Sequence, residues 1–187
     1  LIALGESIVA VGVGAEVRID AGIAAAAAFG IGLAAAQWWI YFDVVALVAT
    51  RRLEQAEVGR VQNEMARDSY SYLHFVMVAG IVLVALGMKK TLGDVDEPLK
   101  TVPAFALLGG TALYLLGHVA FRYRNVGTIN RQRLILGVAL LAAVPLATEV
   151  ASLLALGIVA TLLWAMIGFE THRYGEARTR LRREALG

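Results

Sequence analysis

Apolar residues run almost without interruption through six stretches of the chain, at about 1–15, 22–48, 70–88, 102–121, 134–149 and 151–169, and charged residues gather between them. An α-helix rises 1.5 Å per residue, so most of these stretches are about the length needed to cross ~30 Å of hydrocarbon. The pattern predicts an all-α protein, a polytopic transmembrane helix bundle of about six spans forming a single domain over 1–187. The fifth stretch is short and merges with the sixth. Two crossings joined by a tight turn near Pro145 to Ser152 fit this run better than one overlong helix. The first stretch starts at Leu1, inside an apolar run and without an initiator Met. The chain is therefore expected to be a fragment of something longer.

Polar residues inside the apolar stretches are the next signal. An ionised carboxylate in hydrocarbon costs several kcal/mol, so one is kept there when it is paired, hydrated or used. Glu6 falls near mid-membrane in the first stretch, Gln37 deeper in the second and Asp43 deeper still, while His74 opens the third stretch and His118 closes the fourth at the same face. With Ser7 they form a candidate buried polar pathway: Glu6, Ser7, Gln37, Asp43, His74 and His118. Glu149 falls to the turn at the opposite face. No Lys or Arg lies within the six stretches, which favours protonation or cation binding over ion pairing for Glu6 and Asp43. The competing reading makes these residues hydrogen-bonding glue between helices. Tyr70/His74 and Tyr114/His118 are both i,i+4 pairs suited to orienting the imidazoles. In the second stretch Ala24, Ala28, Gly32 and Ala36 repeat every four residues, a small-residue ridge that lets a neighbouring helix approach; Trp39 and Asp43 continue roughly the same face.

Composition sharpens the class. Hydrophobic residues make up 59% of the chain and charged residues 17%, more apolar surface than a water-soluble fold covers. The absence of Cys excludes disulfides, thiolate metal sites and cysteine nucleophiles. Counted on alternating sides of six spans, thirteen arginines fall on one face, from Arg51 through Arg133 to Arg183, against Arg18, Lys89, Lys90 and Lys100 on the other. The positive-inside rule then predicts a multi-pass protein of the bacterial cytoplasmic (inner) membrane with both ends of the fragment inside. Trp38, Trp39, Tyr41, Tyr70, Tyr72, Phe121, Tyr123, Trp164, Phe169 and Tyr174 fall towards that same face. Residues 51–68 alternate in charge, with Arg60 and Glu64 four apart and Val58, Val61 and Met65 on one stripe, as an amphipathic helix would. The expected partners are the lipid bilayer, anionic lipids at the arginine-rich face and a second copy in a homo-oligomer, with no nucleic acid.

Chemistry beyond transport finds no support. There is no phosphate-binding G-x-x-x-x-G-K-[ST] loop and no H-E-x-x-H pair, and Gly5-Glu6-Ser7 lacks a nucleophile elbow. A haem held between His74 and His118 has nothing else in its favour. The chain is not expected to be an enzyme, and no cofactor or metal is assigned.

The runs Leu4-Gly-Glu-Ser-Ile8, Trp38-Trp-Ile-Tyr-Phe-Asp43, Tyr70-Ser-Tyr-Leu-His74 with Val78-Ala-Gly-Ile81, and Gly117-His118 followed by Phe121-Arg122 together resemble the bacterial low temperature requirement protein A (LtrA) family over essentially the whole chain. Each motif alone is weak, whereas the ordered set is fairly specific. The resemblance implies that the fragment is the C-terminal half, that the N-terminal half of the same chain is a further partner, and that the two halves form a duplicated architecture in which Asp43 faces an upstream counterpart. It also implies a low-temperature growth phenotype, with no substrate attached. The resulting expectation is a transporter or a proton- or ion-coupled permeation protein. The alternative is a non-transporting structural or regulatory membrane protein.

Overall fold

A computed structural model describes residues 1–14, 20–42 and 46–186, with side chains for 1–12, 20–42 and 50–175. Helices follow in the order α1 (Ile2–Gly14), α2 (Ala21–Ile40), α3 (Ala46–Glu54), α4 (Arg60–Gly93), α5 (Thr101–Val126), α6 (Arg131–Ala142), α7 (Val144–Ala147) and α8 (Ser152–Leu186). No strand occurs among the described residues. The all-α bundle read from the hydrophobic pattern is what the chain forms.

Their ends have local causes. Asp20 caps α2 by accepting from the Ile23 amide at 2.8 Å, and Asn130 caps α6 by accepting from the Arg133 amide at 3.3 Å. Both satisfy a donor that the first helical turn leaves free. Gly127 ends α5 in the left-handed region, at φ 72°, which costs glycine no side-chain clash. Gly59, at φ 117°, separates α3 from α4. The amphipathic helix expected over 51–68 is thereby split in two, although its Arg60–Glu64 pair forms at 2.7 Å on the surface.

The count of six spans is corrected. Among the described residues, four helices are long and apolar enough to cross a membrane: Ala21–Ile40, Arg60–Gly93, Thr101–Val126 and Ser152–Gly175. The fifth apolar stretch gives α6, of 12 residues, which at 1.5 Å per residue reaches only about 18 Å, and the described part of the first stretch gives the 13 residues of α1. An apolar run reports a buried or lipid-facing environment but not an unbroken helix. In the fifth stretch the helix stops at Ala142 and only the short α7 follows. The turn foreseen near Pro145 to Ser152 does form, with the Thr148 hydroxyl donating to the Pro145 carbonyl at 2.7 Å. In the second stretch the α-helix ends at Ile40 and Tyr41 and Phe42 continue it as a π-turn, while residues 43–45 lie outside the described residues.

Two ends of the bundle are distinguishable. At one, the segment joining α4 to α5 holds the start of α8: the Ser152 hydroxyl donates to the Asp94 carbonyl at 2.6 Å, and the Ser152 and Leu153 amides donate to the Glu97 and Val95 carbonyls at 3.0 and 3.1 Å. Gly22, at the start of α2, lies against Val95. At the other end lie Arg67, Arg122, Arg124, Arg131 and Arg133.

The tightest seam joins α4 to α5. A Cβ on Gly80 would stand 2.8 Å from the Gly110 carbonyl oxygen and the Tyr114 nitrogen, one on Gly87 2.7 Å from Leu107 Cβ, one on Gly110 2.7 Å from Leu83 Cβ, and one on Gly117 2.8 Å from Met77 Cγ. These glycines let two backbones touch. The ridge expected at Ala24, Ala28, Gly32 and Ala36 is corrected: Ala24 and Ala28 are exposed, and the packed face of α2 is Ala26, Gly30, Leu33, Ala34, Ala36, Gln37 and Ile40. Small residues fill α2 all round, so four-residue spacing alone does not single out one face. Gly30 is the close contact, with space for a Cβ closed to 3.0 Å by Val11 of α1. Gly32 instead offers its carbonyl to the Trp164 indole N–H at 2.9 Å.

Candidate functional site

Near the arginine-rich end, α2, α4 and α5 bring a set of polar and aromatic side chains together. Gln37 lies on the last full turn of α2 and is completely buried. In α4 the stretch Arg67–Leu73 is wound as a π-helix, a wider turn that shifts the register of the side chains before His74; such bulges recur at functional sites. The tightly packed α5 contributes Tyr114 and His118, both about 1% exposed.

The contacts define the arrangement. The Tyr114 hydroxyl donates to the Gln37 carbonyl, tying α5 to α2. The Tyr114 ring lies 4.4 Å from the His118 ring, between centroids. Tyr41, one turn beyond Gln37, stands edge-on between the two imidazoles, 5.6 Å from His74 and 6.0 Å from His118. His118 Nδ1 is 2.9 Å from the Tyr114 carbonyl oxygen. A carbonyl only accepts, so Nδ1 carries a proton, and in the neutral imidazole Nε2 is then a bare acceptor. Nearer the arginine-rich surface the cluster is closed by Tyr70 against Phe121, 6.0 Å apart. The Ser69 hydroxyl there donates to Asn125 Oδ1 at 3.1 Å, and the Asn125 amide to the Phe121 carbonyl at 2.8 Å.

Several polar atoms in this region are buried without a hydrogen-bond partner among the described residues: Gln37 Nε2 and Oε1, the Tyr70 hydroxyl, His74 Nδ1 and His118 Nε2, with Trp39 Nε1 elsewhere on α2 and Ser7 Oγ on α1. Most buried polar groups are paired, so a concentration of exceptions marks a place with another role. No group of three or more His, Asp or Glu able to hold a metal ion occurs among the described residues.

Of the residues read from the sequence, Gln37, His74 and His118 are brought together. Ser7 is buried on α1, against α4 and α2. Glu6, its neighbour, is exposed on the outer face of α1, and Glu149 is exposed on the turn before α8. Asp43 lies outside the described residues. Tyr41 and Tyr114 were not singled out as site residues; the Tyr114/His118 spacing was the available signal. The Tyr70/His74 spacing did not have the same meaning, because Tyr70 packs on Phe121 instead.

Sequence reasoning also missed an ion pair. Arg133 and Glu170, about one-tenth exposed, meet through two bonds of 3.0 and 2.8 Å, and Asn130 donates to the same carboxylate at 2.8 Å. Each residue sits one position outside the apolar stretches, so neither counted as buried. The pair fastens α6 to α8 beside the histidine cluster.

The sequence model of the bacterial low temperature requirement A protein (LtrA) family matches residues 1–168, a range that takes in every residue of the cluster. The chain belongs to this family. With four helices long and apolar enough to span a bilayer, this LtrA family member is a membrane protein. No curated protein and no solved structure matches the chain.

Proposed function

We propose that the chain is a multi-pass protein of the bacterial inner membrane, working as a transporter or a proton- or ion-coupled permeation protein whose route passes the Gln37, His74 and His118 cluster. The observation that supports this most is the concentration of buried, unpartnered polar atoms between α2, α4 and α5. In lipid, such atoms are costly unless they serve a passing or bound species. The arginine-rich end is cytoplasmic in this reading, where it meets anionic headgroups, and the protein is not an enzyme.

A second reading, polar residues as helix glue in a non-transporting protein, is favoured by the contacts that are fully paired, Arg133 with Glu170 and Ser69 with Asn125. Proton uptake by the full-length protein in liposomes, followed with an entrapped pH dye under an imposed gradient across a panel of substrates, separates the two. The transport reading expects flux that His118→Gln reduces at least about tenfold, the loss expected when a proton-transfer group is removed. Absence of flux throughout the panel, or an unaltered flux in the variant, favours the structural reading.

A further inference from the structure

The unpartnered atoms differ in what they need, and the difference identifies an occupant. In the neutral imidazole His118 Nε2 only accepts, because Nδ1 holds the proton in its contact with the Tyr114 carbonyl. Gln37 requires both a donor and an acceptor, and the Tyr70 hydroxyl can use both. A bare cation satisfies acceptors alone and a bare anion donors alone. The charged groups beside the cluster, Arg133 and Glu170, are already joined to each other. Water donates, accepts and is small enough to enter a packed helical interior wherever two to four polar partners converge.

We propose that the junction of α2, α4 and α5 is a binding site for ordered water, held by the Gln37 amide, His118 Nε2 and the Tyr70 hydroxyl, with the Tyr41 and Tyr114 rings as its walls. Gln37 and His118 are 0% and 1% exposed, so bulk solvent does not reach them. The Tyr114 hydroxyl, bonded to the Gln37 carbonyl, and its ring, against His118, join the two anchors. Tyr41, edge-on to both histidines, keeps His74 beside the same space. This inference deepens the transport reading and rests on it only for the use made of the water: a hydrated segment is a route for protons or small polar solutes.

Hydroxyl-radical footprinting by fast radiolysis reads bound water directly, since radicals made from an internal water oxidise the side chains beside it. In the full-length protein in lipid nanodiscs, Tyr114 is expected to be modified several-fold faster than Met88, which is equally buried, packed in an apolar contact with Gly30, and intrinsically more reactive. An unmodified Tyr114 overturns the proposal. So does equal modification of Met88, which reports opening of the whole bundle. A second measurement is the thermal midpoint of Gln37→Leu. If the amide is bonded to water the midpoint falls; if it is dry and unsatisfied, removing it raises the midpoint, and the site is lost. Footprinting reads the water and liposome flux reads the transport, so each claim can fail without the other.

Discussion

Gln37 and Glu6 show what a single residue does and does not reveal in an apolar sequence. Both are polar residues in hydrophobic runs, yet Gln37 is buried and Glu6 is exposed while its neighbour Ser7 is fully buried. Adjacent helical positions differ by about 100°, and where apolar residues surround the helix nothing local states which side faces the bundle. Aromatic residues are ambiguous for a related reason: Tyr41 and Tyr114 suit the lipid interface as well as a protein interior, so only three-dimensional contacts single them out. At this scale the buried Arg133–Glu170 pair makes the sharpest stability prediction. Arg133→Met leaves Glu170 charged and unpaired, and should cost about 3–5 kcal/mol, whereas Arg133→Met with Glu170→Met should recover most of that loss. Denaturation in mild detergent compares them; equal losses in the single and double variants would show that the pair's packing rather than its charge matters.

At the scale of elements, helix type was written plainly in the sequence and helix contacts were not. Long apolar runs made α2, α4, α5 and α8 legible. The break after Ala142 was hidden, because apolarity persists across it. The small-residue ridge illustrates the same limit: α2 carries Ala and Gly on every face, whereas the seam that has no room for a side chain is Gly80, Gly87, Gly110 and Gly117 of α4 and α5. Gly80→Ala should therefore destabilise the protein by more than 1–3 kcal/mol, the usual range for overpacking, since backbone atoms rather than flexible side chains lie in the way. Gly32→Ala, whose Cβ would meet Trp164 Nε1 at an ordinary 3.7 Å, should be neutral or stabilise by up to about 1 kcal/mol through helix propensity. Thermal midpoints in detergent measure both, and the reverse ranking would place the close seam on α2.

For the molecule as a whole, charge asymmetry reads orientation. The 187 residues hold no Cys, so an introduced thiol is the one thiol among them. Cysteines placed at Gln62 and Thr128, at the arginine-rich end, should resist an impermeant thiol reagent in intact cells, and one at Asp96, at the opposite end, should react. The inverse labelling would reverse the proposed topology.

The central claim is that the polar interior, rather than the bundle's lipid-facing surface, carries the protein's activity. Gln37 and Trp38 test it as neighbours: one is fully buried among unpartnered polar atoms and the other is 44% exposed. Flux through the full-length protein in liposomes, normalised to folded protein, should fall by at least about tenfold, some 1.4 kcal/mol, in Gln37→Leu and stay close to wild type in Trp38→Leu. Equal flux in wild type and Gln37→Leu would contradict the claim.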